Sequence, residues 1–334
     1  MYNLLKLSKQ EFNTIILNTA AKKGMSAAIV EKDFWVCVTL DYLFHYSKWK
    51  NQFAFKGGTC LSKVYHLIER FSEDIDLIMD WRVLGYSSEE PWEERSNTKQ
   101  LKFIDDSRDK LFAFLKNEFL PEFVSGMSSL LNLKINAFIE DSDLGTVVFA
   151  YPSSFQDNAI LNTIRLEIGV LASWIPSQKA TIKSFVAEEY PQIFNKSDVN
   201  LLATTAERTF WEKATILHQE AFRPEGSLIP SRYSRHYYDI YCMYKKGIVN
   251  SAIKDLKLLD DVSTFKMKFY PRNWARYDLA KVGSLKLQPS LHSVARLKRD
   301  YEDMKSMIYG EYPSFDEIIA IIKKIEKIIN GDRR

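Results

Sequence analysis

The sequence predicts an α+β fold: a mixed sheet with flanking helices in residues 1–198, followed by a helical region over 199–334. Three observations predict it. Residues 52–79 carry strand, Gly-Gly turn, helix and strand signals in that order. Residues 131–170 hold three short runs rich in β-branched residues and bounded by turn residues. From Ala203 onward, apolar residues recur at helical spacing.

The elements follow in order. Ser8-x-x-Glu11 has the form of a capping box, and Phe12, Ile15, Ile16 and Ala20 continue a helix to Gly24. A second helix is expected over 26–46, with Val30, Phe34, Cys37, Leu40, Leu43 and Phe44 inward. Residues 52–55 read as a short strand ending at Gly57-Gly58. A helix over 59–70 would place Leu61, Val64, Tyr65 and Ile68 on one stripe, with Thr59, Lys63, His66 and Arg70 on another. A strand follows over 74–79, then a Ser/Glu/Pro-rich loop over 86–98 and a long helix over 97–123. Strands are expected at 131–140, 146–151 and 163–170, with Asp141-Ser142-Asp143 and Gly145 marking a hairpin turn. Helices are expected at 204–222, 234–246, 249–259, 288–307 and 314–330.

The 334 residues suffice for one large domain or two ordinary ones, and 46 % hydrophobic with 27 % charged residues is a soluble globular composition. No run approaches the ~18–20 apolar residues of a membrane span, so no membrane association is expected. Cys37, Cys60 and Cys242 are far apart, odd in number and fit no zinc spacing. A reduced, cytoplasmic setting is the simplest reading. The net charge of +3 hides an asymmetry. Residues 1–200 hold 22 basic against 26 acidic side chains, and the remainder 24 against 17. A basic second half suits a polyanionic substrate, and equally an ordinary solvated helical surface.

The chemistry concentrates in residues 55–79. Asp74 and Asp76 stand two apart on a strand, so both carboxylates leave one face while Ile75 and Leu77 turn inward. Adjacent ionised acids repel and call for a cation. Oxygen-only ligands suit Mg²⁺, which takes one or two carboxylates and completes its shell with water and substrate phosphates. Gly57-Gly58 supplies backbone N–H groups for those phosphates. The combination reads as a metal-dependent phosphoryl or nucleotidyl transfer site. The bland reading, a plain turn beside a solvated acidic edge, leaves unexplained two acids embedded in an Ile-Asp-Leu-Ile strand. A third acid is expected on a neighbouring strand, and Glu167, sharing a face with Arg165, is the best candidate. Asp141 and Asp143 are rivals in turn-like surroundings. Thr59 and Lys63 lie near the turn, within reach of phosphates, whereas His66 and Arg70 read as solvated or paired with acids.

The segment resembles the signature of the nucleotidyltransferase AbiEii/AbiGii toxin family, a branch of the polymerase-beta-like nucleotidyltransferases. The matching residues are Lys56-Gly57-Gly58-Thr59, Leu61, Lys63 and Arg70-Phe71-Ser72-Glu73-Asp74-Ile75-Asp76-Leu77. Glu31-Lys32-Asp33-Phe34-Trp35-Val36 upstream, and Glu212-Lys213 and His236-Tyr237-Tyr238-Asp239-Ile240 downstream, extend the likeness from about residue 30 to about 245. The resemblance implies a nucleotidyltransferase-like sheet and a nucleoside triphosphate substrate. It supports Mg²⁺ or Mn²⁺ on Asp74, Asp76 and Glu167 and implies a phosphate contact from Lys213. Lys56, Gly57, Gly58, Thr59, Lys63 and Ser72 around the turn, and Arg235 if its helix closes over the nucleotide, are the further nucleotide-binding candidates. Asp239 would accept a proton from the attacking hydroxyl or orient Lys213, unless the 232–241 helix simply shows a solvated face. His236 stands where the family usually has Arg, which could introduce a pH dependence near ~6.5.

The resemblance further implies the toxin of a type IV, abortive-infection (phage-defence) toxin–antitoxin system. Its acceptor would be RNA, a tRNA 3′ end first, and its antitoxin separately encoded. Domain 1–198 would be catalytic, and 199–334 would close the nucleotide site and contact the acceptor. Residues 265–277 interleave bases with aromatics and could stack on nucleic acid or pack under the helices. Transfer to a protein or small molecule, and a nucleotide-binding module without turnover, are the alternative functions.

Overall fold

The computed structural model describes residues 1–157, 160–171 and 175–331. They form two compact units. The first comprises Met1–Val64 and Phe71–Thr204, and the second Tyr65–Arg70 and Thr205–Arg334. The division at Thr204 lies beyond the expected 198/199 because the last strand before it belongs to the sheet of the first unit.

The first unit is a seven-stranded mixed sheet with helices. The strands are β1 (Phe53–Lys56), β2 (Asp74–Met79), β3 (Asn136–Glu140), β4 (Asp143–Ala150), β5 (Thr163–Gly169), β6 (Ser177–Ile182) and β7 (Val199–Thr204). Their spatial order is β3-β4-β5-β2-β1-β7-β6. The β2–β5 and β1–β7 pairs are parallel and the rest antiparallel. Strand β2 is therefore central, and its acids lie on a face of the sheet instead of along an edge. The α+β expectation holds.

Helix α1 (Lys9–Lys23) starts at the expected capping box on Ser8 and stops at Gly24 in the left-handed conformation. Helix α2 (Ala27–Asp41) continues through a π turn, Tyr42–Tyr46. One inward face was expected of α2, yet every residue from Ala28 to Asp41 is buried. Its three consecutive charges are tolerated because each meets a partner. Glu31 accepts from the backbone N–H groups of Ser154 and Phe155. Lys32 donates to Glu73 Oε2 at 2.8 Å and to the Leu161 carbonyl at 2.9 Å. Asp33 meets Lys63 Nζ at 2.7 Å and accepts the Phe185 N–H. One helix turn thus fixes the segments that lead into β2 and β5. Lys32→Met is expected to lower unfolding stability by roughly 3 kcal/mol, since breaking one side of a buried pair strands the other. Urea denaturation measures this, and a loss below about 1 kcal/mol would contradict it.

Helix α3 is Gly57–Lys63, half its expected length. The chain leaves the helix after Val64, His66 takes a left-handed φ of 50°, and residues 65–70 join the second unit. The stripe of Thr59, Lys63, His66 and Arg70 therefore does not exist. Helix α4 (Asn97–Phe114) runs through a π turn into α5 (Leu120–Leu131), which ends at a left-handed Asn132. That cap turns residues expected to begin β3 into the end of a helix. Helix α6 (Phe185–Glu189) completes the unit.

The second unit is helical. Its helices are α7 (Ala206–Ala221), α8 (Ser234–Lys245), α9 (Ile248–Ala252), α10 (Leu256–Phe269), α11 (Leu291–Asp303) and α12 (Phe315–Asn330). The single helix expected over 249–259 is split, because Asp255 caps a new helix by accepting the Leu258 N–H. Helix α8 packs against α7, α9, α11 and α12. Ile318, Ile322, Ile325 and Ile329 give α12 its buried stripe. The segment 65–70 is tied into this unit. The Tyr309 N–H donates to the Glu69 carbonyl at 3.0 Å, and Arg70 bridges Ile308.

Candidate active site

The site is built across neighbouring strands. Asp76 on β2 is paired with Lys56 on β1 and Glu167 on β5, and Glu167 in turn with Thr146 on β4. Directly paired residues point to one face, so Lys56, Asp76, Glu167 and Thr146 form a row. Asp74 and Arg165, paired two residues earlier, lie on that face too. Parallel register between β2 and β5 thus brings Glu167 beside Asp76 across 91 positions of sequence. Ile75 and Leu77 turn to the other face and are fully buried.

Gly57 is indispensable at the edge of this row. Its φ is +80°, and a Cβ built there would lie 1.8 Å from Asp76 Oδ2. The Asp76 carboxylate therefore rests in the space a side chain would fill, with buried Gly58 following in the first turn of α3. Gly57→Ala is expected to displace Asp76, cost about 1–3 kcal/mol in backbone strain, and reduce transfer by at least about 100-fold. A labelled-nucleotide assay checks it, and near-normal turnover would count against this placement.

Arg165 stands among the acids. Its guanidinium pairs with Glu140, lies 3.6 Å from Asp74 Oδ1 and lies 3.7 Å from Glu167 Oε1. Burial opposes its charge, but Glu140, Asp74 and Glu167 together raise its pKa above the ordinary arginine value. Glu140 was not legible as part of the site. It precedes the hairpin turn, and only folding carries it to Arg165. Asp143 accepts from Gly145 N–H and the Thr146 hydroxyl, the structural turn role its surroundings suggested.

Two expected phosphate contacts are engaged elsewhere. The Thr59 hydroxyl donates to the Asp74 carbonyl at 2.5 Å, so it ties α3 to β2 and has no proton left for a phosphate. Lys63 is buried, paired with Asp33 and set 4.2 Å from the centre of the Phe185 ring. Its charge holds α2 to α3. Lys56 and Ser72 are half-buried, on the strand and loop that flank the acids.

The second unit holds a separate charged node. Arg70 grips Asp239 with two bonds, Nε–Oδ1 at 2.7 Å and Nη2–Oδ2 at 2.8 Å. Lys213 Nζ reaches Oδ2 of the same carboxylate at 2.7 Å. All three side chains are buried, Asp239 completely. Burial raises the Asp239 pKa, yet Arg70 and Lys213 outweigh it and hold the carboxyl well below the usual range. An acid so held is a poor proton acceptor, so orienting Lys213 is the role its geometry suits. For Lys213 burial prevails over Asp239, and with Arg70 and Arg235 nearby its pKa is lowered. Arg235 is half-buried and has no ion pair among the described residues. Burial, then Lys213 and Arg235, push His236 well below 6.5, so it stays neutral at physiological pH. The pH dependence expected near the ordinary histidine value is thereby removed. In residues 265–277, Phe265, Phe269 and Tyr277 are buried, which favours packing over base stacking for those rings.

Oxygen donors on one face fit a divalent ion of the Mg²⁺ type, and Asp74 with Asp76 meets the one-or-two-carboxylate pattern. Among the described residues, no three Asp, Glu, His or Cys side chains converge to hold one ion, so Glu167 is not joined to that pair as it stands.

A family model described as nucleotidyl transferase AbiEii toxin, type IV TA system, matches residues 41–321. The chain belongs to the AbiEii nucleotidyltransferase toxin family. It is accordingly a nucleotidyltransferase, and the AbiEii match takes in β1, α3, β2, Glu167 and the Lys213–Asp239 node. Two solved structures are similar at low identity. JHP933 from Helicobacter pylori is 13 % identical with a TM-score of 0.45, covering 92 % of this chain and 94 % of its own. The nucleotidyltransferase toxin MenT4 from Mycobacterium tuberculosis is 12 % identical with a TM-score of 0.45, covering 95 % and 98 %. No curated protein matches the sequence. Among the described residues of this AbiEii chain, no helix is long and apolar enough to cross a membrane.

Proposed function

We propose that this toxin transfers a nucleotide from a nucleoside triphosphate to an RNA acceptor, a tRNA 3′ end first, within a type IV toxin–antitoxin system whose antitoxin is separately encoded. The observation that carries the reading is the row on the sheet: Asp76 seated against Gly57, Asp74 on the same strand and Glu167 directly alongside. In this reading Asp74 and Asp76 hold Mg²⁺ or Mn²⁺, with Glu167 available beside them. The ion would neutralise charge on the phosphates and lower the pKa of the attacking hydroxyl.

The acceptor hydroxyl oxygen forms a bond to the α-phosphorus as the bond from that phosphorus to the α–β bridging oxygen breaks. Pyrophosphate leaves, and the hydroxyl proton is lost to solvent or a base. The chain's own contribution is placement. Gly57 and Gly58 allow backbone to approach phosphates, while Lys56 and Ser72 flank the acids. Lys213 and Arg235 are proposed as phosphate-binding cations. Asp239 occupies one of the three donors of Lys213, and Arg235 has no ion pair among the described residues to compete for it. The basic second unit suits contact with a nucleic acid.

Incubating the purified protein with each α-³²P-labelled nucleoside triphosphate, Mg²⁺ and total RNA tests the proposal. Label on the 3′ end of tRNA-sized species supports it. Label on protein, or none in any fraction, rejects the RNA acceptor.

A further inference from the structure

We propose that Arg165 is a tethered counter-ion that makes divalent-ion loading depend on the nucleotide, so that the ion is captured as its triphosphate complex. The inference rests on the reading of Asp74 and Asp76 as metal ligands. The Arg165 guanidinium is shared among Asp74, Glu140 and Glu167, with side-chain exposures of 24, 26 and 40 % against its own 28 %. A fixed positive charge in that position repels a divalent ion and competes with it for the Asp74 and Glu167 oxygens. The remaining ligand on the face, Asp76, faces Lys56 across the β1–β2 ladder.

No three Asp, Glu, His or Cys side chains converge among the described residues, so these carboxylates alone offer an incomplete shell. An ion that dehydrates reluctantly and prefers six oxygens gains little from such a shell alone. A triphosphate supplies both missing elements: oxygens for the ion, and negative charge that offsets Arg165. The consequence is positive linkage between ion and nucleotide, set by one side chain. Arg165 is a positioning residue in this scheme, acting on the ion through the carboxylates it holds.

The test uses Mn²⁺ as the probe, with free ion followed by electron paramagnetic resonance in titrations of protein without nucleotide. Wild type is expected to bind Mn²⁺ weakly. Arg165→Gln is expected to bind roughly ten-fold more tightly, the effect of removing one unit charge a few ångströms from a divalent ion. Arg165→Lys keeps the charge, serves as the folded control, and is expected to match wild type. Adding Asp76→Asn to Arg165→Gln is expected to abolish the gain. Equal or weaker Mn²⁺ binding by Arg165→Gln overturns the inference, as does a gain that survives Asp76→Asn. Nucleotide transfer by the Asp76→Asn single variant separates the two levels. Intact transfer rejects the metal reading itself, whereas lost transfer with unchanged Mn²⁺ affinity in Arg165→Gln rejects only the role of Arg165.

Discussion

Asp76→Asn is expected to reduce nucleotide transfer by about 1,000-fold or more while leaving the protein folded. Asp76 is the one acid of the row whose carboxylate sits against the diglycine turn, in a space that only glycine leaves open. Asparagine keeps the shape and the hydrogen-bonding oxygen but removes the charge that would hold a divalent ion. A metal-held transition state losing that ligand forfeits roughly 4 kcal/mol, or three decades in rate. Stability moves the other way, or not at all. Asp74, Asp76 and Glu167 crowd one face with like charge, and neutralising one relieves repulsion. The measurement pairs single-turnover transfer with thermal melting. More than a tenth of wild-type activity in a folded variant would sink the assignment. Glu167→Gln should cost less, because Arg165 already draws that carboxylate aside.

Asp239→Ala is expected to be the most destabilising single change, at roughly 3–5 kcal/mol. It leaves the buried Arg70 and Lys213 facing one another without the carboxylate they share. The effect has a defined pH signature. The Asp239 pKa is depressed in the folded protein, so its contribution is complete above the unfolded aspartate value of about 3.9. It declines as pH falls below that value toward the lower native pKa. The stability difference between wild type and Asp239→Asn should therefore be flat from pH 7 to 5 and shrink only below about pH 4. A difference that titrates near neutrality would point to another group. Transfer should fall as well, since Lys213 loses the partner that fixes its ammonium.

The two predictions separate two kinds of charge. On the sheet, carboxylates outnumber the cations beside them, a repulsion that a bound cation would relieve. In the helical unit, one carboxylate is outnumbered by two cations, which favours an anion nearby. In the proposed reaction, the first imbalance would favour a metal ion and the second a phosphate group.

The family and the pair of acids on one face of a strand are legible in the residues alone, because each depends on local order. Two-residue alternation sets the face of Asp74 and Asp76, and the Ser8 capping box and Gly24 set the ends of α1. Long-range partnerships and strand order came from folding. Lys63 looked like a phosphate ligand and is a buried partner of Asp33, and Arg70 looked like a helical side chain and grips an acid 169 positions away. Helix α3 stops early because residues 65–70 are claimed by the second unit, an event that helical periodicity cannot register. The physical reason is that backbone geometry follows from neighbours in the chain. A buried charge is tolerated only beside a specific partner, and for Lys63 and Arg70 that partner lies far along the sequence.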